Sequence, residues 1–347
     1  MTAALGLRGL RGLRSLRELR ACGATLLCAS FLIGCSNDGG SSKNPPPTYS
    51  TQKPPTQAWK AAVGDGGTLL ETFDDASWEV RKVSDRDLYA VSCIDNEIGW
   101  TVGAQGFIGH TEDGGWSWPA QDSGVTTTLR AVSFAFADAA QVGLAAGDAA
   151  TLLTSHDGGQ HWQSVKVATT DTLRGTAITE GATLLVAVGD GGLVARSTDR
   201  GQHFEISRIR EAGDLFDIAL DAGGGLALAV DATGDIWVSR DRAKTFEREY
   251  QAAGSLESVS LGRSGALASA AGAGLALLRT SAGTWTPLTA TEPLQLHATL
   301  VGPREDRAYF AGDDGALLET VDGGLSLFAV KAATSATLRG IEDLEAR

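Results

Sequence analysis

From about residue 59 onward the chain consists of short apolar runs, each closed by a turn rich in Gly and Asp. Runs of that length between such turns read as β-strands joined by hairpins. The pattern repeats. A Leu-x-x-Val motif, or a close variant, begins at Leu88, Leu129, Leu173, Leu215, Leu256, Leu296 and Leu338, with spacings of 41, 44, 42, 41, 40 and 42 residues. A second motif, an apolar run ending in a Gly-containing turn, also has seven copies, among them Val63-Gly-Asp-Gly-Gly67, Val188-Gly-Asp-Gly-Gly192 and Ala311-Gly-Asp-Asp-Gly315. A period of this length holds four strands, which is one propeller blade. The seven copies predict an all-β, seven-bladed β-propeller with four-stranded blades over residues 59–347. Trp59 begins on a second-strand pattern, and Leu338-Arg-Gly-Ile341 is an inner-strand copy with no blade after it. The C-terminal strand is therefore expected to complete the first blade and close the ring, which removes free sheet edges.

A third motif adds side-chain chemistry. Thr111 to Trp118 and Ser155 to Trp162 match Ser/Thr-x-Asp-x-Gly-x-x-Trp, the Asp-box pattern, with Asp113 and Asp157 at its centre. Asp199 keeps the pattern with Phe204 as its ring. Asp241 with Phe246 and Asp322 with Leu327 are weaker copies, and Asp74 with Trp78 is one residue short. An Asp so placed accepts N–H groups of its own turn. Gly supplies the positive φ, and the ring fills space between blades. These aspartates are read as structural, and Trp118 and Trp162 are expected to be buried between blades.

One correlation runs through the repeats. The residue after the repeat Leu should neighbour the Gly-Asp turn of its own blade across the antiparallel hairpin. Copies with Arg at that place carry Asp in the turn: Arg339 with Asp65, Arg130 with Asp148, Arg174 with Asp190. His297 goes with Asp313, whereas Tyr89, Phe216 and Glu257 face Ala104, Ala232 and Ala273. Cross-strand opposite charges stabilise sheets by about 0.2–1 kcal/mol. The pairs are read as intrablade salt bridges on one rim of the channel, and that rim as the candidate binding site.

The residues before the repeats give an address. Five arginines precede the apolar stretch Ala21 to Ile33, which ends in Leu32-Ile33-Gly34-Cys35. The stretch is shorter than the roughly 20 residues needed to span a bilayer. Its end resembles a bacterial lipobox, in which the Cys is lipidated. Residues 1–34 are read as a lipoprotein signal peptide, Cys35 as the lipidation site, and residues 35–58, rich in Pro, Ser and Gly, as a disordered tether. Ser36 rather than Asp follows Cys35, which favours the outer membrane of a Gram-negative envelope. Cys22 and Cys28 would leave with the signal, so Cys93 is unpaired and reads as a small buried hydrophobe.

Composition narrows the partners. Gly makes up 44 of 347 residues, in keeping with many tight turns. The net charge is −13, and loss of residues 1–34, which carry five Arg and one Glu, takes it to −17. An acidic surface argues against nucleic-acid binding. The five His show no metal-ligand spacing, and no cofactor motif is present.

The segment Ile98-Gly-Trp-Thr-Val-Gly-Ala-Gln-Gly-Phe-Ile-Gly-His-Thr-Glu-Asp-Gly-Gly-Trp-Ser-Trp118, followed by Gln121, resembles a blade of the photosystem II stability/assembly factor family. The resemblance implies a seven-bladed, non-enzymatic propeller that binds or scaffolds another protein. Asp-boxes also occur in sialidases, so a glycan-binding or glycan-cleaving propeller is the alternative. Sialidase chemistry needs an arginine triad and a Tyr/Glu nucleophile pair, which the four Tyr of this chain do not supply in any recognisable pattern.

Overall fold

The computed structural model describes residues 60–72, 77–137, 140–280, 283–288, 295–320, 327–330, 332 and 334–343. The expected signal, Cys35 and the tether lie outside these residues, as do Asp74 and Asp322.

Seven four-stranded antiparallel sheets form the blades. Their inner strands are Leu338–Asp343 in blade 1, then Leu88–Cys93, Leu129–Ala137, Leu173–Ile178, Leu215–Leu220, Leu256–Leu261 and Leu296–Val301 in blades 2 to 7. Blade 1 draws its inner strand from the far end of the sequence: Leu338–Asp343 pairs antiparallel with Lys60–Gly64. The closure is the one the repeat count predicts. A buried ion pair joins the two ends, with Lys60 Nζ 3.4 Å from Asp343 Oδ2.

The second strands explain why the repeats are so apolar. Leu185–Gly189 and Ala268–Gly272, for example, are buried at every position. Successive side chains of a strand point to opposite faces, and here both faces meet a neighbouring blade. In blade 1, Ala61 and Val63 pack with Leu88 and Phe107 of blade 2, whereas Ala62 packs with Tyr309 and Leu317 of blade 7. One apolar cluster fills each blade-to-blade interface around the ring. Each fully buried Leu or Val contributes roughly 1.5–3 kcal/mol, so stability is spread over the interfaces. Cys93 is buried in one of them.

The box hairpins follow one wiring. Asp113 Oδ1 accepts from Ser117 N–H at 2.9 Å, Asp157 from His161 N–H at 3.0 Å, Asp199 from His203 N–H at 3.0 Å and Asp241 from Thr245 N–H at 2.9 Å. The Ser/Thr two residues earlier donates its hydroxyl to the same carboxylate, at 2.8–2.9 Å. Trp118 is buried between blades 1 and 2. Trp162 packs between blades 2 and 3 but is only partly buried. Its indole N–H reaches out to Gln121 Oε1 at 3.3 Å, and its ring stands edge-on to Phe134. The copy before Trp285 has no Asp. There the Trp285 indole N–H instead donates to Glu249 Oε1 of the adjoining blade at 3.0 Å, and Glu249 pairs with Arg279 at 2.7 Å.

Candidate functional site at the channel mouth

The inner strands surround a central cavity of about 280 Å³. A backbone irregularity aims the side chains at its mouth. In blades 2 to 7 the register of the inner strand slips between the repeat Leu and the residue two beyond it, as at Leu129/Ala131 and Leu215/Asp217. In blade 1 the slip leaves Arg339 unpaired between Leu338 and Gly340. A β-bulge re-aims one side chain out of the ladder. The bulged residues are Arg339, Tyr89, Arg130, Arg174, Phe216, Glu257 and His297, and all seven line the cavity.

Close packing holds the partner turn beside each bulge. A Cβ on Gly189 would lie 2.0 Å from the Thr172 carbonyl oxygen, so only glycine fits there. Asp190 N–H donates to that same carbonyl at 3.0 Å, which fixes the turn that carries the carboxylate.

The four sequence-predicted pairs form. Arg339 Nε lies 2.6 Å from Asp65 Oδ1, Arg130 Nε 2.5 Å from Asp148 Oδ1, and Arg174 Nε 2.6 Å from Asp190 Oδ1. His297 Nε2 lies 2.9 Å from Asp313 Oδ1. Arg130 and Arg339 meet their aspartates side-on, through Nε and Nη2. Among the described residues no group hydrogen-bonds Nη1 of either.

The blades without a pair fill the places between them, which the correlation alone did not reveal. Tyr89 sits between two arginines, with the guanidinium of Arg130 5.7 Å and that of Arg339 5.6 Å from its ring centroid. Arg174 lies 5.2 Å from the Phe216 ring. Glu257 Oε2 is 2.7 Å from His297 Nδ1. Both imidazole nitrogens thus face carboxylates, and only the imidazolium can donate to both. The Glu257 hydrogen bond leads in raising the His297 pKa, against burial and with help from Asp313. His297 in turn holds the Asp313 carboxyl below its ordinary value.

Asp217 lines the same cavity, one residue beyond the Phe216 bulge. Its Oδ1 accepts from Ile218 N–H at 2.8 Å. Its Oδ2 accepts from Ser258 Oγ and Val259 N–H, each at 3.0 Å, and so bridges blades 5 and 6. Burial pushes its pKa up to about 6 despite these donors.

Comparison with known proteins places the architecture. The family model described as photosynthesis system II assembly factor YCF48 matches residues 117–306, more than half of the chain. The chain belongs to this family. A solved structure titled "YCF48 bound to D1 peptide" is similar at a TM-score of 0.60 and 19% identity, over 81% of this chain and 96% of that one. At that identity the likeness is one of fold. A search of curated proteins found no match.

Two features of this family member escaped the sequence. The arginine–aromatic stacking joins neighbouring copies and becomes legible only once the bulges bring them to one mouth. Asp231 replaces the turn glycine in blade 5 and is fully buried. Its carboxylate accepts from Gly213 N–H, Thr233 N–H, Asp235 N–H and Trp237 Nε1, at 2.9–3.1 Å. Burial opposes its ionisation, but the bond from Trp237 and the other donors outweigh it and lower its pKa. The signal was present as the one second-strand turn motif that opens Val-Asp rather than with a residue before Gly.

Proposed function

We propose that this chain is a non-catalytic, protein-binding propeller, tethered to the cell envelope by lipid on Cys35, and that the channel mouth receives its partner. The observation that carries the reading is convergence. Seven bulges deliver three guanidinium groups, two aromatic rings, a carboxylate and an imidazole to the rim of one cavity. Sites that fix a partner's orientation combine a concave surface with a few converging polar groups. The paired aspartates hold each guanidinium at a set angle, and among the described residues no group hydrogen-bonds Nη1 of Arg130 or Arg339. A peptide segment suits this geometry, and the similar solved structure is itself a peptide complex.

The box carboxylates support the non-catalytic reading, because Asp113, Asp157, Asp199 and Asp241 spend their lone pairs on their own turns. Replacing Arg130 and Arg174 together by Ala should weaken partner capture from detergent-solubilised envelope at least tenfold, with the melting temperature nearly kept, since each half-exposed pair is worth only about 1 kcal/mol or less. Capture unchanged by the double substitution would move the site off the rim. The envelope address is tested separately. Cys35→Ala should leave the precursor unprocessed by the lipoprotein peptidase, and normal processing of that variant would remove the lipid from the proposal.

A further inference from the structure

We propose that the channel receives a basic side chain of the partner, an arginine or lysine, whose charge is met by Asp217. The inference rests on the reading of the mouth as the partner site and names what enters it.

The argument starts from what Asp217 does not need to be. Its bond to Val259 N–H spans two neighbouring inner strands. Elsewhere in the ring a hydroxyl does that work: Ser92 Oγ accepts from Phe134 N–H at 3.1 Å, and Ser258 Oγ from Thr299 N–H at 3.2 Å. A serine would therefore satisfy the backbone here, without a charge. Carrying a carboxylate into a channel wall costs free energy unless an opposite charge accompanies it. Among the described residues no Lys, Arg or His lies within ion-pair distance of Asp217, and its only partners are neutral donors. Burial pushes its pKa up, and its neutral donors do not fully offset this.

The rim does not supply it. Each of the three rim arginines is neutralised by its own aspartate. His297 stands between two carboxylates, Glu257 and Asp313, so the side of the mouth formed by blades 6 and 7 carries surplus negative charge even with the imidazolium formed. Asp217, on blade 5, adds to that side. A cationic group entering along blades 5 to 7 meets Glu257 first and Asp217 beyond it.

The probes are two blocked pentapeptides, one with a single central arginine and one with a single central aspartate, titrated into the full chain and followed by the amide resonances of Ile218 and Val259. The arginine peptide should shift both resonances saturably, and Asp217→Asn should weaken its binding about tenfold or more. Asn keeps an acceptor for Val259 N–H, so the fold is retained, and Asp217→Ser gives a second neutral variant. Binding should also fall as pH drops through 6, because the carboxylate is then protonated. The groups that share the channel with it are Arg174 beside it on blade 4, Glu257 on blade 6, and Arg130, Arg339, His297 and Glu342 beyond, and protonation of His297 acts in the same direction. Arginine-peptide binding that is equal in both neutral variants overturns the proposal. Preference for the aspartate peptide, lost in Arg130→Ala, overturns it while leaving the mouth as the partner site. If neither peptide shifts a channel resonance, the proposal and the mouth reading fail together.

Discussion

At the residue scale, Asp217 is where stability and the proposed role oppose each other. Its folded pKa, about 6, lies above its ordinary value of 3.8. The folded state therefore holds the proton more tightly than the unfolded chain. The cost to stability is absent below about pH 4, grows as pH rises, and is complete above about pH 6. Asp217→Asn should raise the melting temperature by a few degrees at pH 7.5, on the order of 1–2 kcal/mol, and by much less at pH 4. Thermal unfolding at the two pH values checks this, and a variant less stable at pH 7.5 would mean that the carboxylate is a net structural asset. Asp217 shows where single-residue reading ends. Its number in the sequence reveals only an acid in an apolar strand, whereas the missing countercharge depends on all seven inner strands at once. Arg130 and Asp148, by contrast, were legible, because a hairpin fixes which two residues face each other.

At the element scale, the rim depends on the hairpin between the first two strands of each blade. Gly189 lets the turn lie against the Thr172 carbonyl, and that contact places Asp190 beside Arg174. Gly189→Ala sets a methyl 2.0 Å from a backbone oxygen, and the backbone must shift. The expected cost is roughly 1–3 kcal/mol, with loss of the Arg174–Asp190 contact. Chemical denaturation gives the first and a crystal structure of the variant the second; a variant with wild-type stability would show that the turn has room. The strands and box hairpins were legible from spacing, since turn residues and apolar runs are local signals. The bulge was not. It leaves no residue signature at the rim position, where Arg, Tyr, Phe, Glu and His all occur.

At the scale of the whole molecule, closure makes the mouth. Seven interface clusters and the pairing of Leu338–Asp343 with Lys60–Gly64 hold the inner strands at fixed distances around one cavity. The closure was legible, because the count of inner-strand and second-strand motifs leaves one of each to be joined. The partner was not legible, since many ligands suit one fold. The most direct test of a partner-binding mouth uses a photoreactive phenylalanine derivative in intact cells, in place of Phe216 at the mouth or Phe328 on an outer strand. Phe328 is 52% exposed and serves as the control for chance encounters. Irradiation should give one discrete protein adduct from position 216 and none from position 328. Adducts from position 328 alone, or none from position 216, would contradict the account.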